Sequence, residues 1–305
     1  MTQSIWPMKP ESNFTQEVRP PVNPYLNLVS ELSRVVTEGR SLPLGGFQPA
    51  PRPLPSPDAP VALFFAPHPD DETIGGGLAL RLSEESRWRV IDIAVTLGSL
   101  AERKEARWRE LQSACRYLGF GLELTAPGGL DPVRPVTRST APQEWSEKVA
   151  VAAALLKKHR PKAVFFPHEL DWHGTHIGVH WLVMDALRAA EAGPCYLVET
   201  EFWGQMTSPN LLVEYTPRHV ADLVAATSFH AGEVRRNPYH LLLPAWMQDN
   251  SRRGAELVGG PGREAPAFLF AQLFRLRRWN GSQAENFFAG GRFLPASTGA
   301  ADVFG

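Results

Sequence analysis

The sequence predicts an α/β fold of the Rossmann-like, doubly wound class, with a mostly parallel sheet flanked by helices and an N-terminal proline-rich arm. Continuously apolar segments such as VALFFA (61–66) and AVFFP (163–167) are typical of strands that are buried on both faces. Amphipathic helical segments alternate with these strands along the chain. Proline is concentrated ahead of the first strand, with 12 of the 28 prolines in residues 1–60.

The predicted elements follow one another in a regular order. The strands are VALFFA (61–66), VIDIAVT (90–96), LELTA (122–126), AVFFP (163–167), YLVETEFW (196–203) and LLVEY (211–215). The helices cover 74–86, 101–119, 143–160, 176–191, 217–235 and a segment of roughly 264–287. Gly119 is expected to end the second of these helices, as glycine commonly does.

The chain is predicted to contain an N-terminal arm over 1–60 and a single catalytic domain over 61–305 with a C-terminal helical extension. Within the arm, residues 1–24 are expected to lie extended over a surface or to be disordered. Residues 25–39 are expected to form a short amphipathic helix and 41–60 a semi-rigid proline-rich linker. This linker is interpreted as a segment that lies on the protein surface, and a role in recruiting a partner is the alternative.

Composition excludes several classes of partner. The 31 basic and 32 acidic side chains give a net charge of -1, so no affinity for nucleic acid or for an anionic membrane is expected. No apolar run approaches the roughly 18 residues of a membrane span. The sequence starts without a secretory signal, which predicts a cytoplasmic protein. Two cysteines are too few for a disulfide framework or a thiolate zinc site.

Acidic and histidine residues cluster after two of the predicted strands. VALFFA is followed by His68 and by the acids Asp70, Asp71 and Glu72, and four of the nine histidines fall within 168–180 after AVFFP. Asp70 and Asp71 could merely cap the next helix, but capping does not explain His68. Because ligands of open α/β sheets bind beyond the carboxyl ends of the strands, the two clusters together favour a metal site.

Imidazole and carboxylate ligands suit a catalytic Zn²⁺ ion, and Fe²⁺ shares this preference. Such an ion lowers the pKa of bound water to about 7 and polarises a carbonyl group. A further carboxylate could act as general base, and a further histidine could stabilise an oxyanion or protonate the leaving amine. The residues therefore predict metal-assisted hydrolysis of an acyl bond.

The motifs resemble those of the PIG-L/LmbE-type de-N-acetylases. Ala66-Pro67-His68-Pro69-Asp70-Asp71-Glu72, followed by Gly75-Gly76-Gly77, resembles the first motif of the family, and His173-Gly174-Thr175-His176 resembles its second motif, His-x-Asp-His. Thr96-Leu97-Gly98 and the Arg107-x-x-Glu110 pair resemble the family layout more weakly. The resemblance extends over about residues 60–235.

This resemblance implies a zinc-dependent N-deacetylase, a hydrolase acting on the carbon–nitrogen bond of a linear amide. It implies His68, Asp71 and His176 as the metal ligands. It further implies Asp70 as the general base that activates water and His173 as the residue that stabilises the oxyanion. The implied substrate is an N-acetylated amino sugar, such as an N-acetylglucosamine unit, or a glycoconjugate. Whether the protein forms a homo-oligomer is left open.

Several residues have more than one interpretation. Arg107 is a candidate substrate contact, or alternatively a surface arginine paired with Glu105 or Glu110. Thr175 replaces the acid of the family motif, so whatever orients His173 must be supplied elsewhere. The roles of three other histidines, His168, His180 and His230, are left open.

Two other functions are alternatives to hydrolysis. One is a non-catalytic sugar- or metal-binding module of the same fold, against which the presence of Asp70 speaks, because metal binding does not require it. The other is a nucleotide-binding oxidoreductase. The turn after the first strand contains acids in place of G-x-G-x-x-G, and these acids would repel a pyrophosphate.

Overall fold

The computed structural model describes residues 23–49, 52 and 54–305 of the chain. The chain falls into two compact units, Met1–Leu42 and Pro43–Gly305. The division at residue 60 into an arm and a catalytic domain stays a prediction. The extended structure predicted over residues 1–24 lies almost wholly outside the described residues.

The described part of the first unit contains the helix α1 (Leu26–Gly39). It coincides with the helix predicted over 25–39. Arg34 forms ion pairs with Glu31 and Glu38, which lie one turn to either side of it. Pairs at these spacings add a few tenths of a kcal/mol each to helix stability. The prediction of a short helix in this region is confirmed.

The second unit is built on a sheet that has nine strands among the described residues. These are β1 (Val61–Ala66), β2 (Arg89–Ala94), β3 (Gly121–Leu124), β4 (Ala163–Pro167), β5 (Cys195–Thr200), β6 (Leu211–Glu214), β7 (Ala271–Trp279), β8 (Ala284–Asn286) and β9 (Arg292–Leu294). The strand order is β3-β2-β1-β4-β5-β7-β6-β9, with β8 paired to β7. Strands β1 to β5 are parallel, whereas β7 is antiparallel to both β5 and β6. The mostly parallel sheet of the predicted fold class is confirmed.

Helices cover both faces of this sheet. They are α2 (Asp71–Ile74), α3 (Gly77–Ser86), α4 (Lys104–Leu118), α5 (Pro135–Thr140), α6 (Pro142–His159), α7 (Gly174–Ala189), α8 (Pro217–Ser228), α9 (Ala231–Val234) and α10 (Tyr239–Gly259). Phe64 of β1 packs with side chains of α3, α4 and α8, while its neighbours Leu63 and Phe65 pack with side chains of α6 and α7. Burial of one such side chain contributes about 1.5–3 kcal/mol, so both layers stabilise the central strands.

None of the helices in the described ranges combines the length and the apolar character that crossing a membrane would require.

The strand order creates a crevice between β1 and β4. From β1 the chain winds outward through β2 and β3, and it then returns to place β4 on the other side of β1. The loops that follow β1 and β4 therefore diverge, and a space opens beyond the carboxyl ends of these two strands. Both acid-and-histidine clusters of the sequence lie in these loops and at the starts of α2 and α7, the helices that follow them.

The prediction of a helix over roughly 264–287 is wrong, because this segment forms β7 and β8. The long C-terminal helix is α10, which comes earlier in the chain and precedes the strands. Arg275 and Arg277 of β7 bind the carboxylate of Glu199 on the neighbouring strand β5. Arginines within an apolar run imitate an amphipathic helix when their partner on another strand is unknown. The predicted C-terminal helical extension is therefore a helix followed by strands of the main sheet.

The proline-rich segment 43–60 forms neither helix nor strand in its described part. It contacts two helices of the second unit. The Gly45 N–H donates to Ser228 Oγ of α8 (3.1 Å), and Arg52 donates to Asp222 of α8 (3.2 Å) and to the carbonyl oxygen of Tyr117 in α4 (2.9 Å). These contacts fasten the segment to the outer surface of α4 and α8.

Candidate active site

A cavity of about 510 Å³ opens at the carboxyl ends of β1 and β4. Its lining includes His68, Asp70, Asp71, Arg107 and His173, and His176 lies fully buried directly beneath them. All six site residues predicted from the sequence are therefore brought together. A second cavity of about 450 Å³ lies at the amino ends of β4 and β5, but no histidine lines it.

Three side-chain atoms form a nearly equilateral triangle at the base of this cavity. His68 Nδ1 lies 3.2 Å from His176 Nε2, and Asp71 Oδ2 lies 3.4 Å from each of these nitrogens. Ligand atoms bound tetrahedrally to one zinc ion at 2.0–2.1 Å are about 3.3–3.4 Å apart. The donor set and its spacing therefore fit a single divalent metal.

Burial keeps the two histidines of this triangle neutral. It lowers the pKa of His68 to about 4 and that of His176 well below its usual value. Only the neutral imidazole has a lone pair that is free to bind a metal. The two rings are therefore in the protonation state that metal binding requires.

Asp70 has a strained backbone. Its φ is 118°, which is uncommon for any residue other than glycine and costs about 1–3 kcal/mol. Its side chain does not cap α2 and lines the cavity. Two neighbours hold the strained backbone, because Glu72 Oε2 accepts from the Asp70 N–H (2.9 Å) and Thr73 Oγ1 donates to the Asp70 carbonyl (2.8 Å).

His230 acts on this turn through Glu72. Its Nε2 lies 2.7 Å from Glu72 Oε1, and both side chains are buried. Burial alone would lower the pKa of His230, but the Glu72 carboxylate outweighs this effect and the pKa is raised. The helix predicted over 217–235 is interrupted at Phe229 and His230, between α8 and α9. His230 therefore supports the turn that presents Asp70.

Asp171 belongs to the site, although the sequence reasoning did not single it out. Its Oδ1 accepts from the His173 N–H (2.8 Å) and lies 3.7 Å from His176 Nδ1. Its Oδ2 accepts from the N–H groups of Trp203 (3.1 Å) and Gly204 (3.3 Å) after β5. A carboxylate behind a ligating histidine orients the ring and raises its basicity. The sequence does contain a signal for this residue, since Asp171 is an acid placed two residues before His173.

The backbone of Thr175 supplies the contact that orients His173. The Thr175 N–H donates to His173 Nδ1 (3.3 Å), so in the neutral ring the proton is on Nε2. Partial burial, followed by the nearby His68, lowers the pKa of His173 and favours this neutral form. His173 therefore offers an Nε2–H donor, although position 175 has no acid.

Arg107 lies in the cavity wall, and its interpretation as a surface arginine is wrong. Its side chain is 13% exposed. Its Nη2 donates to the Pro69 carbonyl (2.8 Å) and lies 3.8 Å from Asp70 Oδ1, while its Nη1 lies 3.8 Å from Glu233 Oε1. Among the described residues it pairs with neither of the two glutamates on its own helix that the sequence suggested.

The remaining two histidines of the second cluster do not line the cavity. His168 Nε2 lies 2.8 Å from the Gly204 carbonyl oxygen, and His180 Nδ1 lies 3.0 Å from that of Pro167. His180 also lies near Glu169 and Glu199, whose carboxylates bind Arg275. Both histidines are therefore buried structural residues.

The glycines that follow the acidic cluster allow α3 to approach the sheet closely. A side chain on Gly77 would overlap the Gln272 amide oxygen of β7. The Gly77 N–H instead donates to this oxygen (3.2 Å). This contact fixes the helix that follows the Asp70 turn.

Comparison with known proteins gives a family and a fold. Residues 63–187 match the PIG-L family, described as GlcNAc-PI de-N-acetylase. The N,N'-diacetylchitobiose deacetylase of Pyrococcus horikoshii superposes with a TM-score of 0.54 at 15% identity, over 83% of this chain and 93% of that one. The conserved protein TT1542 of Thermus thermophilus gives a TM-score of 0.51 at 21% identity, over 70% and 93%. No curated protein sequence matches the chain.

A hydratase has the same fold. GalB, the 4-carboxy-2-hydroxymuconate hydratase of Pseudomonas putida, superposes with a TM-score of 0.53 at 16% identity, over 71% of this chain and 95% of that one. At these identities the likeness shows the fold alone, and one fold can support different reactions. The family match is more specific, since it covers both motifs of the cavity and supports sugar de-N-acetylation in general. The match to the PIG-L family covers residues 63–187, which include both motifs.

Proposed function

We propose that this protein is a zinc-dependent hydrolase that removes the N-acetyl group from an amino sugar or a glycoconjugate. The observation that carries this proposal is the triangle of His68, Asp71 and His176 next to Asp70, within one polar cavity. The triangle has the donor set of a catalytic zinc site with positions left open for water and substrate. When bound, such an ion supplies a water of lowered pKa and polarises the acyl oxygen.

Asp70 is the general base in this proposal. Burial, and next the neighbouring Asp71 carboxylate, raise the pKa of Asp70 to about 7. A carboxyl group with a pKa near the working pH can both accept and release a proton. Its carboxylate takes the proton from the attacking water and later donates it to the departing amine nitrogen.

His173 stabilises the oxyanion. Its Nε2–H is available as a donor because its Nδ1 already accepts from the Thr175 N–H. A neutral donor directed at the developing charge stabilises the tetrahedral intermediate, and one such donor contributes about 10²–10³-fold in rate. The threonine at position 175 is compatible with this role because the backbone fixes the ring.

The cavity suits a sugar of modest size. Its volume of about 510 Å³ is within the range of small-molecule sites. Trp203 and Tyr239 line it with their ring centroids 5.3 Å apart, and their partly polar rings can pack on a sugar face. Asp131 also lines the cavity and offers acceptors to hydroxyl groups.

The test measures acetate released from N-acetylglucosamine and from chitooligosaccharides by the zinc-loaded protein. We expect Asp70→Asn to lower kcat by about 10²–10⁴-fold, the usual contribution of a general base, while the zinc content stays unchanged. The matched control is Asp58→Asn, because Asp58 is exposed and remote from this cavity. Full activity of Asp70→Asn, or zinc-independent release, would contradict the proposal.

A further inference from the structure

One wall of the cavity is formed by three arginines around one carboxylate. Glu233 Oε1 lies 3.6 Å from Arg103 Nη1 and 3.8 Å from Arg107 Nη1, and Glu233 Oε2 lies 2.5 Å from Arg236 Nη2. All four residues line the cavity. We call Arg103, Arg107 and Arg236 the arginine wall.

Arg103 has donors without acceptors. Its side chain is 32% exposed, and its nearest carboxylates, Glu233 and Glu110, lie at 3.6 and 4.0 Å, beyond hydrogen-bond distance. Within the described part of the chain its guanidinium group makes no hydrogen bond, although it has five N–H donors. The buried Arg81, by contrast, donates to Glu85 and to three backbone carbonyl oxygens.

The Arg103 guanidinium packs against the backbone of α9, between the carboxylates of Glu233 and Glu110. It lies against Gly232 at the start of α9, where any side chain would overlap Arg103 Nη2. The Gly232 N–H donates to Glu110 Oε1 (2.9 Å), so the backbone beneath the guanidinium is fixed as well. Packing on a fixed backbone reduces the freedom that a planar guanidinium group loses when it binds a ligand.

The wall offers directed donors more than net charge, because Glu233, Glu110 and Asp70 offset the three arginines. A free anion is therefore expected to bind weakly. Arg107 Nη2 lies 3.8 Å from Asp70 Oδ1, whereas among the described residues Arg103 forms ion pairs only with Glu233 and Glu110. An oxyanion held by Arg103 would thus lie away from the reacting acyl group, on another part of the same substrate.

We propose that Arg103, with Arg236, binds an anionic substituent of the N-acetylated substrate, either a phosphate or a carboxylate. This inference rests on the proposed function and makes the substrate an acidic amino-sugar derivative. Guanidinium groups recognise both oxyanions through paired N–H donors. Charge-assisted hydrogen bonds of this kind correspond to about 10–100-fold in binding.

The test compares kcat/KM for acetate release from neutral N-acetylglucosamine, its 1-phosphate and 6-phosphate, and N-acetylmuramic acid. We expect at least one charged compound to exceed the neutral one by about tenfold or more, mainly through a lower KM. Arg103→Gln should lower this charged-to-neutral ratio by about tenfold or more. Comparison of the two sugar phosphates with N-acetylmuramic acid, which bears a carboxylate, shows which oxyanion the protein prefers.

The matched control is Arg109→Gln, in α4, the helix that directly follows Arg103. Arg109 is 68% exposed, and its closest carboxylate is Glu105 at 3.8 Å, so its replacement removes one charge without touching the wall. The charged-to-neutral ratio should be unchanged in this variant.

A second test variant is Arg236→Gln, at a position that is 70% exposed. It should also lower the charged-to-neutral ratio, and it replaces Arg103→Gln as the test if that variant does not fold.

Binding separates this inference from the proposed function. If no compound releases acetate, the proposed function fails, and calorimetry with glucosamine 6-phosphate, glucosamine 1-phosphate, muramic acid and neutral glucosamine then tests the wall alone. Tighter binding of a charged sugar that Arg103→Gln abolishes and Arg109→Gln preserves would support the inference. Charged-to-neutral ratios that neither Arg103→Gln nor Arg236→Gln changes, in catalysis or in binding, would overturn it.

Discussion

Two clusters of histidine and carboxylate side chains lie one helical turn apart and differ in their counter-charges. His176 of α7 faces His68 and Asp71, and His180 of the same helix faces Glu169 and Glu199. In the second cluster Arg275 and Arg277 bind the carboxylates. In the first, no arginine or lysine of the described residues forms an ion pair with Asp71.

This difference shows what makes such a cluster a candidate metal site. Buried carboxylates require a compensating positive charge. Around Glu199 the protein supplies that charge with its own arginines, so no cation is needed. Around Asp71 it supplies only neutral imidazoles, and the three donor atoms converge on one point. Proximity of ligand-type residues alone does not distinguish the two cases.

The largest effect is expected from a matched pair of substitutions in α7. His176→Gln should weaken zinc binding by more than 100-fold, since even residues that only orient a ligand contribute about 10–100-fold. His180→Gln should leave the zinc Kd within a few-fold. Competition against a chromophoric chelator measures both. Equal losses in the two variants would show that His180 contributes to zinc binding as much as His176 does, and would contradict the proposed difference between the clusters.

The next effect concerns the carboxylate behind His176. Asp171→Asn keeps the size of the side chain but removes the charge that lies 3.7 Å from His176 Nδ1. It also replaces one of the two oxygens that accept from backbone N–H groups, so one of these contacts is lost. We expect zinc affinity to fall by about 10–100-fold. The control is Glu169→Gln, in the same loop but bound to Arg275. An unchanged zinc Kd in Asp171→Asn, measured by the same chelator competition, would rule out this role.

The smallest effect is a pH dependence that belongs to the second cluster. Burial raises the pKa of Glu169, but the hydrogen bond from Arg275 outweighs it and lowers the pKa from 4.5 to about 2. A lowered pKa stabilises the folded state above pH 4.5, and this stabilisation is lost as the pH falls through about 2. Because Glu169 is partly exposed, Glu169→Gln should cost only about 1–2 kcal/mol at pH 7.

Denaturant unfolding of wild type and Glu169→Gln at several pH values checks this expectation. The difference in unfolding free energy should shrink steadily between pH 5 and pH 2. A difference that is constant over this range would mean that the charge of Glu169 contributes nothing and that only its packing matters.

Much of the fold was readable because its signals are local. The run VALFFA has strand length and no polar residue, and Gly119 ends α4 with φ of 73° as expected for a glycine at that position. The prediction for the segment 264–287 was wrong because the decisive signal there is not local. The arginines of β7 are explained by Glu199, which lies about 76 residues away in sequence and is adjacent only in the sheet.

The residues of the candidate site also fall into those with a local sequence signal and those without one. His68, Asp70, Asp71, His173 and His176 stand in two short motifs directly after strands, so the sequence indicated them. Asp171, Glu72 and Glu233 were not assigned roles, because each acts through a partner from another part of the chain. Asp171 joins the loops after β4 and β5, and Glu72 binds His230. Glu233 pairs with Arg107 of α4, with Arg103 just before α4, and with Arg236 three residues after itself.

The sequence by itself determined the alternation of buried strands with helices, and hence the parallel sheet and the strand ends at which the chemistry lies. It did so because apolar periodicity records which face of each element is buried. The tertiary structure alone decided which charges meet: that His68 lies 3.2 Å from His176, 108 residues away, and that Glu199 binds arginines of β7. Electrostatic pairing depends on distance in space, which periodicity along the chain does not encode.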